Sequence, residues 1–100
     1  MRERNDVVMT DNARISVISM DGNEFGEWHF HTELTEYVIC TKGELKLDVS
    51  GSARVIMELG KLNVIYAGNR HRIYNDTDQQ AEYILIQNGR FDIISVAHAV

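Results

Sequence analysis

The stretch Trp28-His29-Phe30-His31-Thr32-Glu33-Leu34-Thr35-Glu36 decides how this chain is read. Its first four residues read as a β-strand, and residues two apart on a strand project to the same side. His29 and His31 therefore point together, with side-chain origins about 7 Å apart at a rise of about 3.3 Å per residue. Imidazoles leaning inward from that spacing can share one ion at about 2.0–2.1 Å each. Glu36 follows a short turn and begins the next strand, which sets its carboxylate beside the pair. His71 can complete the set from a strand across the fold. Three imidazoles and one carboxylate suit a borderline divalent ion: manganese, iron, cobalt, nickel, copper or zinc.

Outward from this stretch, turn signals recur at short intervals: Asp21-Gly22-Asn23, Lys42-Gly43, Ser50-Gly51-Ser52, Gly60, Gly68-Asn69, Asn75-Asp76-Thr77-Asp78 and Asn88-Gly89. Between them lie short runs rich in Val, Ile, Leu and Tyr, the spacing of an all-β sandwich or barrel. In Glu44-Leu45-Lys46-Leu47-Asp48-Val49 the apolar residues fall on alternate positions, so one face is buried and one is wet. Ile15, Val17 and Ser19 share a face, and Tyr83-Ile84-Leu85-Ile86 reads as buried on both sides. No segment carries a helical period. With no proline, glycine, asparagine and aspartate supply the punctuation.

The chain has 100 residues, which suits one domain over 1–100. A net charge of -5 argues against nucleic acid, which asks for a basic patch. Cys40 is the one cysteine, so no intrachain disulfide forms and the compartment reads as cytoplasmic. The charged start Met1-Arg2-Glu3-Arg4-Asn5-Asp6 leads into no apolar run of signal-peptide length. No stretch approaches a transmembrane helix, so no membrane partner is expected. His98 lacks a matching partner and reads as a surface residue.

The candidate ligands sit in patterns that resemble the two sequence signatures of the cupin superfamily. The first is a histidine pair, a glutamate after a short gap and then a glycine, present as His29, His31, Glu36 and Gly43. The second begins at Gly60, passes Gly68 and His71, and ends at Asn75, with Tyr66 where the family has proline. The resemblance implies a cupin-type jelly-roll β-barrel with little or no helix. It also implies one divalent transition metal held inside by His29, His31, Glu36 and His71. It does not imply one reaction, because fold does not fix function.

With those ligands inward, alternation sends Val38, Cys40 and Ile73 inward as well, and Tyr83 is a further candidate for the pocket wall. Cys40 reads as a small buried hydrophobe rather than a reactive thiol. Trp28, Phe30, Tyr37 and Ile39 then point outward, as one contiguous patch on two neighbouring strands. A monomer rarely exposes so much apolar surface, so a homodimer is expected through it. The competing occupant is the chain's own start, with Val7, Val8 and Met9.

Three classes of function stay open. The favoured one is a metal-dependent enzyme of dioxygenase or other oxidoreductase type acting on a small organic molecule. An anionic substrate would chelate the ion directly, with Arg70 or Arg72 aiding at the rim. The second is a metal-dependent isomerase or lyase on a sugar or keto-acid, which needs a proton-transfer group such as Tyr83. The third is a non-catalytic module that binds or senses a small molecule.

Overall fold

The computed structural model describes residues 2–91 and the backbone of Ile94–Ser95. In chain order the strands are β1 (Glu3–Met9), β2 (Ala13–Met20), β3 (His29–Phe30), β4 (Glu33–Lys42) and β5 (Leu45–Val49). They continue with β6 (Val55–Met57), β7 (Leu62–Ile65), β8 (His71–Tyr74), β9 (Ala81–Arg90) and β10 (Ile94–Ser95). No helix occurs among the described residues, so none is long and apolar enough to cross a membrane.

Two five-stranded antiparallel sheets form, ordered β1-β2-β9-β4-β7 and β10-β3-β8-β5-β6. From β3 onward the chain mostly alternates between them, which is the jelly roll expected from the sequence. The sheets face one another without joining into a continuous barrel.

Gly43 shows what such a crossing demands between β4 and β5. Its φ is +74°, and a Cβ there would stand 2.8 Å from the Gln80 carbonyl oxygen. Both the backbone conformation and the close approach exclude a side chain.

Pleating sorts the first sheet into two faces. Ile18, Met20, Leu34, Val38, Cys40, Ala81, Tyr83 and Leu85 point inward and are buried. All but Leu34 meet Leu45, Leu47, Met57 and Ile73 of the second sheet in the core. Each large aliphatic side chain withdrawn there contributes about 1.5–3 kcal/mol. β9 is not buried on both sides: Ile84 and Ile86 face outward and are half-exposed.

Those outward residues align across strands in two apolar rows. Ile15 pairs with Ile86, Ile86 with Tyr37, and Tyr37 with Val64. Val17 pairs with Ile84, Ile84 with Ile39, and Ile39 with Leu62.

This register corrects the expected patch. Phe30 lies on β3 of the second sheet, with Trp28 just before that strand, whereas Tyr37 and Ile39 lie on β4 of the first. The chain changes sheets near Thr32, so strands adjacent in sequence are not adjacent in space. Nor does the start of the chain cover either group. β1 pairs edge-on with β2, leaving Val7, Val8 and Met9 exposed.

Asn75, the last residue of the second signature, has a structural role. Its amide Nδ2 donates to the Asp21 and Gln79 carbonyls at 3.1 and 2.7 Å. Its Oδ1 accepts from the Thr77 N–H and hydroxyl at 3.0 and 2.7 Å. This fully used amide ties the β2–β3 connection to the β8–β9 connection.

Candidate metal centre

The four candidate ligands come from both sheets and converge. His29 on β3 pairs directly with His71 on β8. His31 follows β3 immediately, and Glu36 lies on β4. Their ligand atoms all fall within 4.8 Å of one another. The His29 ring centroid is 4.3 Å from that of His71 and 5.2 Å from that of His31. His31, Glu36 and His71 are buried, and His29 is partly exposed.

The hydrogen bonds around these rings fit a divalent ion. His29 Nδ1 donates to the Glu27 carbonyl and His71 Nδ1 to the Asn69 carbonyl, each at 2.8 Å. A carbonyl only accepts, so the Nδ1 proton is committed and a neutral ring presents its Nε2 lone pair inward. This backbone anchoring is the arrangement that orients metal-bound imidazoles.

Glu36 Oε1 lies 2.8 Å from His71 Nε2 and 3.2 Å from His31 Nε2. A carboxylate oxygen facing two such nitrogens calls for positive charge between or upon them. Three neutral imidazoles and one carboxylate are a donor set for a borderline divalent ion.

Burial alone would raise the pKa of Glu36. Hydrogen bonds from His31 and His71, which those rings donate only when Nε2 carries a proton, outweigh that and hold it well below the usual carboxylate range. Burial pushes the pKa of His29 down, favouring the neutral ring that a ligand must be.

The cluster lies in the wall of a cavity of about 500 Å³. Val38, Ile73 and Tyr83 line it, as does Leu85. Burial pushes the Tyr83 hydroxyl up to about 12, so it stays protonated at neutral pH and can donate.

Cys40 points inward but lies in the core and is not among the cavity-lining residues. Alternation fixes which face a residue takes, not how deep along the strand it sits. Burial raises the pKa of its thiol, consistent with an inert hydrophobe. His98 lies outside the described residues.

Arg70 and Arg72 are not at the rim. They flank His71, so the alternation that turns the histidine inward turns them outward. Arg72 donates to Asp48 at 3.3 Å and lies over the rings of Phe25, Trp28 and Tyr74, 5.0–5.4 Å from their centroids. Arg70 lies over Phe30 at 5.9 Å.

The cations that do line the cavity are Arg2, Arg4 and Arg14, which sequence reasoning missed along with Gln87. Arg14, Gln87 and Glu36 form one inward row across β2, β9 and β4. The available signal was parity: Gln87 is two residues from Leu85, and Arg14 two from Ser16.

A cupin domain model matches residues 16–87, and the chain belongs to the cupin family. No curated protein sequence matches it. Among solved structures it is similar to a conserved protein with a double-stranded β-helix domain from Klebsiella pneumoniae. The TM-score is 0.85 and the identity 13%, over 97% of this chain and 85% of that one.

It is also similar to a sugar phosphate isomerase of the cupin superfamily from Silicibacter pomeroyi. There the TM-score is 0.75 and the identity 22%, over 87% of this chain and 58% of that one. An oxalate oxidase aligns with TM-score 0.76 and 22% identity, over 85% of this chain and 46% of that one. At these identities the likeness shows the fold alone.

Proposed function

We propose that this cupin is a metal-dependent enzyme of oxidoreductase type acting on a small organic molecule. The observation that carries the reading is the convergence of His29, His31, Glu36 and His71 within 4.8 Å in the wall of a cavity. A divalent ion bound there would supply Lewis acidity and, if redox-active, electron transfer.

The chain's own residues set the surroundings. Ile18, Val38, Ile73 and Leu85 exclude water from the inner wall, and Tyr83 presents a protonated hydroxyl. The structural neighbours include an oxalate oxidase, which supports the redox version.

A second reading is favoured by one specific observation. Tyr83 lines the same cavity, so a proton-transfer group is at hand for a metal-dependent isomerase or lyase. The sugar phosphate isomerase among the neighbours supports that version.

The discriminating experiment loads the metal-free protein with iron, manganese or zinc and offers a panel of enols, diketones, hydroxy-acids and keto-acids. Oxygen uptake with iron or manganese alone supports the oxidoreductase. Turnover with zinc and no oxygen uptake replaces it with the isomerase or lyase. Ligand retained in mass spectra without turnover under any metal leaves a binding module.

The expected homodimer becomes a proposal about the outer face of the first sheet. Tyr37 and Ile39 belong to its two apolar rows; Trp28 and Phe30 do not. A second copy of this chain is the occupant that fits. A five-strand face at about 4.8 Å spacing and about 26 Å of strand is on the order of 600 Å², near the usual share of about 800 Å² per partner. Light scattering that gives a monomer at micromolar concentration removes this dimer.

A further inference from the structure

The row that carries Glu36 continues into two cations. Gln87 is 3% exposed and lies between them. Its Nε2 donates to Glu36 Oε2 at 3.0 Å. Its Oε1 accepts from Arg4 Nη2 at 2.7 Å and from Arg14 Nε at 2.9 Å.

Two guanidiniums therefore meet on one neutral amide oxygen at the cavity wall. Asp6 takes the Nε of Arg4 at 2.8 Å and also accepts from the Ser16 hydroxyl. Among the described residues no carboxylate pairs with Arg14, and no acceptor takes its Nη hydrogens. The guanidinium of Arg14 lies 5.0 Å from the centroid of the Phe91 ring. Glu24 and Glu27 also line the cavity, and the Glu24 carboxylate accepts from the Asp21 N–H.

The geometry points to an oxyanion-binding subsite formed by Arg14 and Arg4 beside the metal centre, so that the substrate is a small organic oxyanion. This deepens the proposed function and rests on it for the cavity being a substrate site. The planar guanidinium of Arg14, with its Nη hydrogens free, matches carboxylate and phosphate oxygens and holds them in one orientation, and Arg4, held by Asp6 and Gln87, adds positive charge beside it.

The spacing limits the ligand. Along the hydrogen bonds, Arg14 is separated from the Glu36 carboxylate by one amide group, a path of about 8 Å or less. A compact acid can place one oxyanion on the arginines and a second oxygen near the histidines; a long chain cannot lie between them. Gln87 keeps Arg4 and Arg14 off Glu36, so the metal ligand is not neutralised by the cations that receive the substrate.

The test titrates the full chain, metal-free and zinc-loaded, with malonate, with inorganic phosphate and with uncharged malonamide. Calorimetry reports affinity, and elemental analysis of the same samples reports metal. Malonate or phosphate is expected to bind the metal-free chain, with malonamide silent. A lower dissociation constant for malonate assigns a carboxylate; one for phosphate assigns a phosphate.

Arg14→Gln is expected to weaken the preferred anion about 10- to 100-fold at unchanged metal content. Arg14→Lys, which keeps the charge and loses the fork, should fall between. Arg72→Gln, on the outer face, should bind as the parent does. Anion binding that is equal in the parent and both Arg14 variants overturns the subsite, as does malonamide binding as tightly as malonate. A chain that binds anions through Arg14 but takes up no metal keeps the subsite and removes the metal enzyme.

Discussion

Glu36 and Asp48 are both acids withdrawn from water, 3% and 9% exposed, yet their surroundings give them different work. Asp48 lies on the outer face of the second sheet. It accepts from Arg54 Nε at 2.8 Å and from Arg72 Nε and Nη2 at 3.3 Å. Its partners are permanent cations, so its charge is matched whatever else binds. Glu36 lies on the inner face of the first sheet against two imidazoles and one amide. Imidazoles are cations only when protonated, so the charge of Glu36 is matched only by added protons or an added ion. A buried acid with fixed cationic partners reads as structure; one that faces imidazoles beside a cavity reads as a site.

The sharpest way to break this contrast is to remove the acid that faces the histidines. Glu36→Ala should lower metal affinity more than about 100-fold, beyond the 10- to 100-fold usual for a residue that only orients a ligand. Elemental analysis after purification without a metal-affinity step should read well below one ion per chain, and the same for His29→Ala. A variant that keeps one ion per chain would place Glu36 in the class of Asp48.

The next effect is smaller. Gln87→Met keeps the shape but loses the amide that holds Glu36 Oε2. Metal affinity measured against a chromophoric chelator should fall about 10- to 100-fold. No change would mean that the histidines alone orient the carboxylate.

The sequence carried the ligand set because strand alternation and the spacing of the two signatures carry it. His29 and His31 share a face by strand alternation, and Gly43 marks the crossing that returns the chain to the second sheet. Arg14 and Gln87 escaped because a polar residue on an alternating strand is ordinarily on the wet face. Their inward side is fixed by pairing β2 with β9, strands distant in sequence. The same gap misplaced Trp28 beside Tyr37: nothing local says that the chain leaves one sheet near Thr32. Arg70 and Arg72 were misassigned for a different reason. Their charge suggested the rim, although their parity, opposite to that of His71, already placed them outside.

On the Asp48 side the expected effects are on stability and leave the metal alone. Asp48→Asn keeps the shape and removes the charge that Arg54 and Arg72 share. A buried charge-assisted hydrogen bond contributes about 1.5–3 kcal/mol in general, and the exposure of Arg54 lowers its share here through solvent screening. The melting temperature should fall by several degrees or more, at roughly 4–8 °C per kcal/mol for a domain of this size. Metal content should not change; a loss of metal would mean that the two faces are coupled.

Arg72→Lys is the mildest probe. It keeps the charge beside Asp48 but gives up the plane that lies over Phe25, Trp28 and Tyr74. The expected cost is about 0.5–1 kcal/mol, the range for partly exposed cation–π contacts. Chemical denaturation resolves it as a shift of the midpoint at constant slope. If the loss matches that of Asp48→Asn, the guanidinium plane rather than the ion pair secures the outer face. If Arg72→Lys is neutral, the carboxylate carries that face alone, and the aromatic rings serve only to keep water from it.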